Sequence, residues 1–513
     1  MGVKFKSLLI PAFFIFCLAF FIQGFDLHSE GRTWDEPFKT DTGITAINNI
    51  TQGKYNYSDW SYGIEHPPVA KYIYGYLYLK DIKTFDTRNT LSAEDTKYIQ
   101  DGNYYARLQG TTAVVFPYDY VTPRLFSVIC NALTITIVFC ITQLLWGELW
   151  IGLATSVVFL SIPRFIAMGR LVTYESLSGM LMAFLFLLFL IVSKKNTIAL
   201  YWNALFGLLL GLLLWTRYNN ISVFLIFAGW IAIWIMSNKK HSILSGAQTV
   251  FLSFLLAGVL GFIIWPFLWI EFPRGVFATV FEHHTRTIVP SLYHLKSLFV
   301  TTPIFHLILL LVGIVFAIKK KDQTLWYVLW WFFGTGVFFA VFSSPTGGTR
   351  YIYTIYPSIL LLIGYGLKWC VPKKLIAVLV VVLSLYGLYT LTSIHPYYLD
   401  YYNGLVGGVE NAAKDGYEVS WWGEGQKEAE EWLRTHAETD SKVALFVTPK
   451  YIFPRIRKDV KISPYDTGAE TADYMVVSRA DMTRFLKLNS KWKKVYVVSV
   501  QDVPLVFIWK RIK

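Results

Sequence analysis

The sequence of residues 173–195 is TYESLSGMLMAFLFLLFLIVSKK, an apolar run that ends in two lysines. A helix needs about 20 mostly apolar residues to cross the hydrocarbon core of a bilayer. Lysines that directly follow such a run favour the cytoplasmic side of the membrane. Residues 173–193 therefore predict a membrane-spanning helix that ends inside the cell.

The same kind of apolar run recurs along the chain and predicts about eleven transmembrane helices. The predicted spans are residues 7–25, 124–146, 149–168, 173–193, 198–215, 220–236, 245–269, 302–318, 324–342, 351–368 and 373–392. Of the 513 residues, 54% are hydrophobic and only 16% are charged, whereas average soluble domains carry about 25% charged residues. The composition excludes a disordered or ordinary water-soluble protein and predicts a multi-pass protein of the cell membrane.

Lysine clusters predict the orientation of these spans, because cytoplasmic loops hold an excess of Lys and Arg. Alternate loops contain Lys194-Lys195, Lys239-Lys240, Lys319-Lys320-Lys321 and Lys373-Lys374. With these clusters inside, the amino terminus is cytoplasmic, and residues 26–122, residues 270–301 and the tail lie outside. The net charge of +13 is then explained by membrane orientation. We therefore expect membrane lipids, and no nucleic acid, as partners.

The tail differs in character from the rest of the chain. Residues 424–436 have amphipathic helical spacing, and β-branched runs occupy residues 443–447, 474–477 and 496–508. We predict an all-α polytopic membrane module over residues 1–394 and a small extracytoplasmic α/β domain over residues 395–513.

Two polar clusters in the first outer loop carry acidic residues. Residues 31–37 have the sequence GRTWDEP, and residues 63–71 have the sequence GIEHPPVAK. The second cluster continues into residues 72–79, whose helical spacing and short length predict an interfacial helix. A carboxylate held there can reach a lipid-linked group at headgroup depth. The alternative is that Asp35 and Glu36 are ordinary solvated loop acids.

Four arginines lie where apolar runs meet the predicted outer face of the membrane, although Lys and Arg are usually enriched on the cytoplasmic side. They are Arg124, Arg170, Arg217 and Arg350. A charge at the membrane boundary is a functional candidate, and guanidinium groups bind phosphate bidentately. The alternative is snorkelling, in which the arginine head stays in water. Glu175 could form a structural ion pair with Arg170 or face the same pocket.

One pair of histidines is a candidate for a metal site. His283 and His284 follow Glu282, but adjacent histidines do not share a helix face as an i, i+4 pair does. The sequence therefore predicts no certain cofactor, and a divalent metal is an open alternative.

Seven segments, in order along nearly the whole chain, resemble motifs of the GT-C membrane glycosyltransferases that use polyprenyl-phosphate sugars. The likeness is to the protein mannosyltransferase and aminoarabinose-transferase-like group, glycosyltransferase family 39-like. The segments are Asp35-Glu36, residues 65–71, residues 123–127, residues 161–163 through 169–175, residues 214–218, Arg350-Tyr351 with Pro357, and residues 401–403 with Gly407-Gly408 and Trp422-Gly423. The chain departs from the usual pattern at Glu175, where the family has Asp.

The resemblance implies transfer of a sugar from a polyprenyl-phosphate donor to an acceptor outside the membrane, with inversion at the anomeric carbon. It implies that Asp35 is the general base, with Glu65 as the second catalytic candidate, orienting the acceptor or a cation, and Glu36 as the third. The implied donor-phosphate ligands are Arg124 and Arg350, then Arg170 and Arg217, supported by His66, Glu175 and Tyr351.

These roles require the acids and arginines to converge in one cavity at the outer boundary of the membrane. The acceptor is open between a protein hydroxyl, a lipid and a polysaccharide. A lipid-linked oligosaccharide ligase or polymerase is the alternative enzyme. A lipid-sugar flippase or transporter is the alternative that is not an enzyme. For such a protein we would expect ionisable residues deep in the spans.

Overall fold

The computed structural model describes most of the chain. The described residues are 5–79, 83–86, 104–109, 112–117, 120–237, 241–270, 272–274, 289–448, 456–457, 459–464, 468–486 and 491–512.

Helices dominate the described residues. The α-helices are α1 (Phe5–Gly24), α2 (Asp35–Thr51), α3 (Tyr57–Trp60), α4 (Pro68–Leu79), α5 (Val121–Trp146), α6 (Leu149–Leu160), α7 (Pro163–Arg170), α8 (Tyr174–Val192), α9 (Leu200–Leu214), α10 (Ser222–Ser237), α11 (Ile243–Ile264), α12 (Phe267–Ile270), α13 (Tyr293–Thr301), α14 (Ile304–Lys320), α15 (Gln323–Phe342), α16 (Tyr356–Cys370), α17 (Lys373–Ile394), α18 (Gly408–Lys414), α19 (Gln426–His436) and α20 (Met482–Leu486). Short 3₁₀ helices occupy Tyr218–Ile221, Gly348–Arg350, Tyr353–Ile355, Tyr398–Asp400, Gly404–Val406 and Arg479–Asp481.

The strands form two sheets. They are β1 (Lys83–Asp86), β2 (Tyr104–Gln109), β3 (Thr112–Pro117), β4 (Lys442–Phe446), β5 (Lys461–Pro464), β6 (Tyr474–Ser478), β7 (Trp492–Val500) and β8 (Val503–Arg511). The first three form an antiparallel sheet in the order β1-β3-β2, and the others form a mixed sheet in the order β5-β4-β6-β8-β7.

Every predicted apolar run coincides with a helix or with a bent pair of helices. Among the described residues, six helical segments are long and apolar enough to cross a membrane, and the number is up to eight if each of two bent pairs is one span. The predicted number of eleven is not confirmed. The helices at the other three predicted spans are shorter: the apolar part of α1, Leu8–Gly24, together with α9 and α16, which have 15 residues each. A full span needs about 20 residues.

The predicted span over residues 149–168 is bent. Its two helices, α6 and α7, meet at 71°. Pro163 is the first residue of α7, and proline cannot donate the backbone hydrogen bond that would continue the preceding helix. The Ser161 hydroxyl at the break lies 2.7 Å from the His306 ring. The bend therefore has a chemical cause, and it produces a short helix whose residues are all buried and that ends at Arg170.

Contacts divide the chain into two compact units. Unit 1 consists of Met1–Phe25, Thr42–Ile73 and Leu125–Thr392. Unit 2 consists of Asp26–Asp41, Tyr74–Arg124 and Ser393–Lys513. Unit 2 therefore unites two parts of the predicted first outer loop with the tail. These units are defined by contacts and are discontinuous in sequence, so they do not test a domain boundary at one point of the chain. The boundary between residues 394 and 395 stays a prediction.

The mixed sheet is the core of the tail. Strand β6 pairs in parallel with β4 and antiparallel with β8, and all five of its residues are buried. Helix α19 buries Ala429 and Leu433, as its amphipathic spacing predicts. The predicted run over residues 496–508 is a hairpin, because Gln501 and Asp502 adopt positive φ angles of 44° and 65° and reverse the chain.

Candidate functional site

The two adjacent acids of the first cluster begin helix α2, where the helix dipole favours negative charge. Glu36 is completely buried. Its Oε2 atom accepts a hydrogen bond of 2.9 Å from the backbone N–H of Thr33. Asp35, by contrast, has a side chain that is 36% exposed. Of the two adjacent carboxylates at the start of α2, that of Glu36 is therefore buried and that of Asp35 is accessible.

Arg124 holds Glu36 through two parallel hydrogen bonds. Its Nε donates to Oε1 at 2.8 Å, and its Nη2 donates to Oε2 at 2.7 Å. The same guanidinium donates to the backbone oxygens of Leu27, Glu30 and Gly31 at 3.3, 3.1 and 2.7 Å. All five N–H groups are therefore engaged within unit 2. This geometry favours a positioning role over the predicted phosphate contact of Arg124 and over a reacting role of Glu36.

Lys39 is a site residue that the motif analysis missed. Its ammonium lies 3.7 Å from Oδ2 of Asp35, and its side chain is only 1% exposed. The same ammonium lies 4.8 Å from the centre of the Trp422 ring. The backbone N–H of Trp34 also donates to the backbone oxygen of Trp422, at 3.2 Å. The i, i+4 spacing of Asp35 and Lys39 was the signal available in the sequence.

A buried charge cluster in unit 1 joins three of the predicted residues. Oε1 of Glu175 accepts hydrogen bonds from Nη1 of Arg217 and, at 2.9 Å, from Nε of Arg350. Nη1 of Arg217 also donates to the backbone oxygen of Arg350 at 3.1 Å. The side chains of Glu175, Arg217 and Arg350 are 1%, 3% and 11% exposed. Two guanidinium groups and one carboxylate carry one net positive charge.

Helix ends add to this positive potential. Glu175 lies in the first turn of α8. Arg217 directly precedes the 3₁₀ helix that leads into α10. A helix N-terminus is equivalent to about half a positive charge. The cluster is thus suited to an anionic partner.

The second acidic segment lies beside this cluster. The His66 ring contacts the Tyr174 ring edge-on at 5.1 Å. The Tyr218 hydroxyl donates to the backbone oxygen of Ile64 at 3.0 Å. The guanidinium of Arg217 lies 4.8 Å from the centre of the Tyr351 ring. Unit 1 therefore brings together six of the predicted residues: Glu65, His66, Glu175, Arg217, Arg350 and Tyr351.

Lys71 stabilises the turn that carries Glu65, which is itself exposed. The buried Lys71 ammonium donates to the backbone oxygens of Gly63 and His66. Burial lowers the pKa of Lys71 to about 7, and the negative charge of Glu65 opposes part of that shift. The Lys71 ammonium, which titrates near neutral pH, therefore forms the hydrogen bonds that hold this turn.

The remaining predicted arginine, Arg170, contacts the end of α1. Its Nη1 donates to the backbone oxygens of Gln23 and Phe25 at 2.9 and 2.5 Å. The predicted residues therefore lie in two sets, with Asp35, Glu36 and Arg124 in unit 2 and the other seven in unit 1. Convergence of the two sets in one cavity stays a prediction.

The described part of the chain contains no group of three or more His, Cys, Asp or Glu residues that could hold a metal ion. His283, His284 and Glu282 lie outside the described residues.

Comparison with known proteins shows the fold. No family model matches this chain, and no curated protein sequence does. The chain is similar to the structure of ArnT from Cupriavidus metallidurans bound to undecaprenyl phosphate, with a TM-score of 0.50, 11% identity and coverage of 98% of each chain. The apo form of the same ArnT gives a TM-score of 0.52 at 10% identity, again with 98% of each chain covered.

The S. cerevisiae protein O-mannosyltransferase Pmt1-Pmt2 complex bound to the sugar donor is a partial match. It gives a TM-score of 0.36 and 15% identity over 52% of this chain and 33% of that chain. The two ArnT structures cover nearly the whole chain. They confirm, at the level of the fold, the resemblance to the aminoarabinose-transferase-like GT-C proteins.

Proposed function

We propose that this chain is an integral-membrane glycosyltransferase that moves a sugar from a polyprenyl-phosphate donor to an acceptor on the outer face of the cell membrane. The observation that carries the proposal is the contrast between Asp35 and Glu36, because one carboxylate is accessible while its neighbour is neutralised by Arg124. The likeness of the fold to an ArnT that binds undecaprenyl phosphate supports the choice of donor.

In the proposed reaction, Asp35 is the general base. It takes the proton from the acceptor hydroxyl, whose oxygen attacks the anomeric carbon from the side opposite the phosphate. The bond between that carbon and the phosphate oxygen breaks, and polyprenyl phosphate leaves with the bonding electrons. The anomeric configuration therefore inverts. Lys39, at 3.7 Å from Asp35, favours the ionised base.

The leaving phosphate needs fixed positive charge where its negative charge develops. Arg350 and Arg217 are our first candidates, because the cluster that they form with Glu175 carries a net positive charge. Arg350 is the more exposed of the two. Arg170 is the second-rank candidate, and Arg124 becomes a positioning residue. Glu65 and His66, beside the cluster, are proposed to orient the acceptor or the donor headgroup.

The test is a transfer assay with the full chain in lipid nanodiscs. Radiolabelled polyprenyl-phosphate monosaccharides are supplied with membrane extracts as the acceptor source, and formation of labelled product and of free polyprenyl phosphate is measured. Asp35→Asn should lower the rate about 10²- to 10⁴-fold, the usual value of a general base. Asp415→Asn is the matched control, because Asp415 is an exposed acid of the same unit.

Transfer by Asp35→Asn at the rate of the unaltered protein would contradict the assignment of the base. A chain that ignores single-sugar donors but uses a lipid-linked oligosaccharide would be a ligase or polymerase. Movement of intact donor between leaflets, without release of polyprenyl phosphate, would indicate a flippase.

A further inference from the structure

A groove in unit 2 lies outside the residues discussed so far. It has a volume of about 610 Å³ and is formed by one face of α19 together with Ser29, Pro396 and Tyr496. The helix contributes Glu428, Glu431, Trp432, Thr435 and His436, which follow the three- and four-residue spacing of a single helix face. We call it the aromatic groove.

Three nearly parallel rings line the aromatic groove. The Trp432 and His436 rings have centres 4.7 Å apart and planes 5° apart. The Trp432 and Tyr496 rings have centres 5.2 Å apart and planes 12° apart. Trp432 and Tyr496 are half-buried, and His436 is exposed. Rings fixed in this way offer rigid apolar area at little cost in conformational entropy.

Polar groups surround the rings. Burial raises the pKa of Glu428, which is hydrogen-bonded to the Tyr397 side chain. Glu431 is exposed and forms a salt bridge with Arg434. These carboxylates accept hydrogen bonds, and the Thr435 hydroxyl can donate and accept. A pyranose presents the complementary chemistry, with an apolar C–H face and a rim of hydroxyl groups.

The groove is joined to the segment that leads to the catalytic acid. Ser29 lines it, and the Lys427 ammonium donates to the backbone oxygen of His28. A Cβ atom added to Gly31 would lie 3.4 Å from Cβ of Lys427, so the helix and this segment are in close contact. Asp35 is six residues after Ser29, so the distance between their Cα atoms is at most about 20 Å. A short oligosaccharide can span that distance from the groove to Asp35.

We propose that the aromatic groove is a binding site for a neutral saccharide belonging to the acceptor. The role of the saccharide as acceptor rests on the proposed transferase function, whereas saccharide binding itself does not. The groove would hold the acceptor sugars by apolar contact with the parts of Trp432, Tyr496 and His436 that line it and by hydrogen bonds to Glu428 and Glu431. It would thereby select glycan acceptors over unglycosylated ones.

The experiment measures binding to the full chain in nanodiscs without any donor. The probes are three neutral trisaccharides, maltotriose, mannotriose and triacetylchitotriose, and, for comparison, a Ser- and Thr-rich peptide. Saturation-transfer NMR detects binding, and at least one trisaccharide should bind. Trp432→Ala should weaken that binding at least tenfold, and Glu431→Gln should weaken it a few-fold. Trp369→Ala is the matched control, because Trp369 is an exposed tryptophan of unit 1, and it should leave binding unchanged.

Thermal unfolding of each variant shows whether it is folded, and His436→Ala replaces Trp432→Ala if the latter is not. Absence of binding by all three probes would overturn the proposal. Binding that survives Trp432→Ala, Glu431→Gln and His436→Ala would also overturn it, as would a preference for a Ser- and Thr-rich peptide over every trisaccharide. Trisaccharide binding through Trp432 in a chain that transfers no sugar would support the groove and contradict the transferase.

Discussion

The Lys39 ammonium lies 3.7 Å from Oδ2 of Asp35, although the Lys39 side chain is almost completely buried. A buried ammonium needs a carboxylate or an aromatic face nearby, and Lys39 has both, because the Trp422 ring lies 4.8 Å away. Trp422 comes from the tail, so a residue far along the chain supports the cation that contacts the proposed base.

We expect Lys39→Met to lower the transfer rate and to move the acidic limb of the pH-rate profile to higher pH. The reason is that a nearby positive charge favours the ionised form of a carboxylate, and methionine removes that charge while conserving volume. The measurement is kcat/KM between pH 3 and 9, because the acidic limb of an aspartate base lies near pH 4. Lys414→Met is the control, because Lys414 forms an exposed i, i+4 pair with Glu410. An unchanged profile in Lys39→Met would show that Lys39 does not act on the base.

Arg124→Ala should destabilise the protein by about 3–5 kcal/mol, because it leaves the buried Glu36 carboxylate without its charged partner. Glu36→Gln combined with Arg124→Ala should cost less than the sum of the two single changes. Thermal unfolding of the four forms in detergent gives this coupling. A folded Arg124 variant of normal stability with a strongly raised KM for the donor would instead support the phosphate contact predicted from the sequence.

Arg350→Ala should abolish most transfer while changing stability little. Glu175 keeps Arg217 as its partner in that variant, so the buried charges balance, but the excess positive charge is lost. Arg350→Lys should retain partial activity if charge neutralisation is the requirement, and equal loss in both variants would indicate bidentate geometry. Glu175→Gln should instead unfold at lower temperature, because it leaves two buried arginines without their carboxylate. Transfer and thermal unfolding of the same preparations separate the two effects.

The stability of the chain should rise between pH 7 and pH 10 through Lys71. Burial lowers the pKa of Lys71 in the folded protein to about 7, below its ordinary value of 10.5. Between these values the unfolded chain binds a proton that the folded chain does not, so the free energy of unfolding rises by up to about 1.4 kcal/mol per pH unit. Lys71→Met removes this contribution. The Tm of the unaltered protein minus that of Lys71→Met should therefore be constant below pH 7 and grow above it, whereas a difference independent of pH would contradict the prediction.

Sequence patterns predicted the helical segments well, because the length of an apolar run is a local property. They failed where a single residue changed the geometry. Pro163 bends the predicted span over residues 149–168, and the Gln501-Asp502 turn divides a predicted strand into a hairpin. Both signals were present in the sequence, as a proline and as a polar pair within an apolar run. Hydrophobic periodicity and mean hydropathy are averages over many residues, so one or two residues change them little.

By itself, the amino-acid sequence determined that the chain is a multi-pass membrane protein, which segments are apolar and which acids and arginines are candidates, since these depend on residue type and spacing. Only the tertiary structure decided the partners of those side chains. Arg124 engages Glu36 and three backbone oxygens, whereas Arg217 and Arg350 share Glu175. The physical reason is that an arginine at the end of an apolar run has the same local pattern whether its guanidinium faces a carboxylate or an open site, and residues distant in the chain supply that carboxylate.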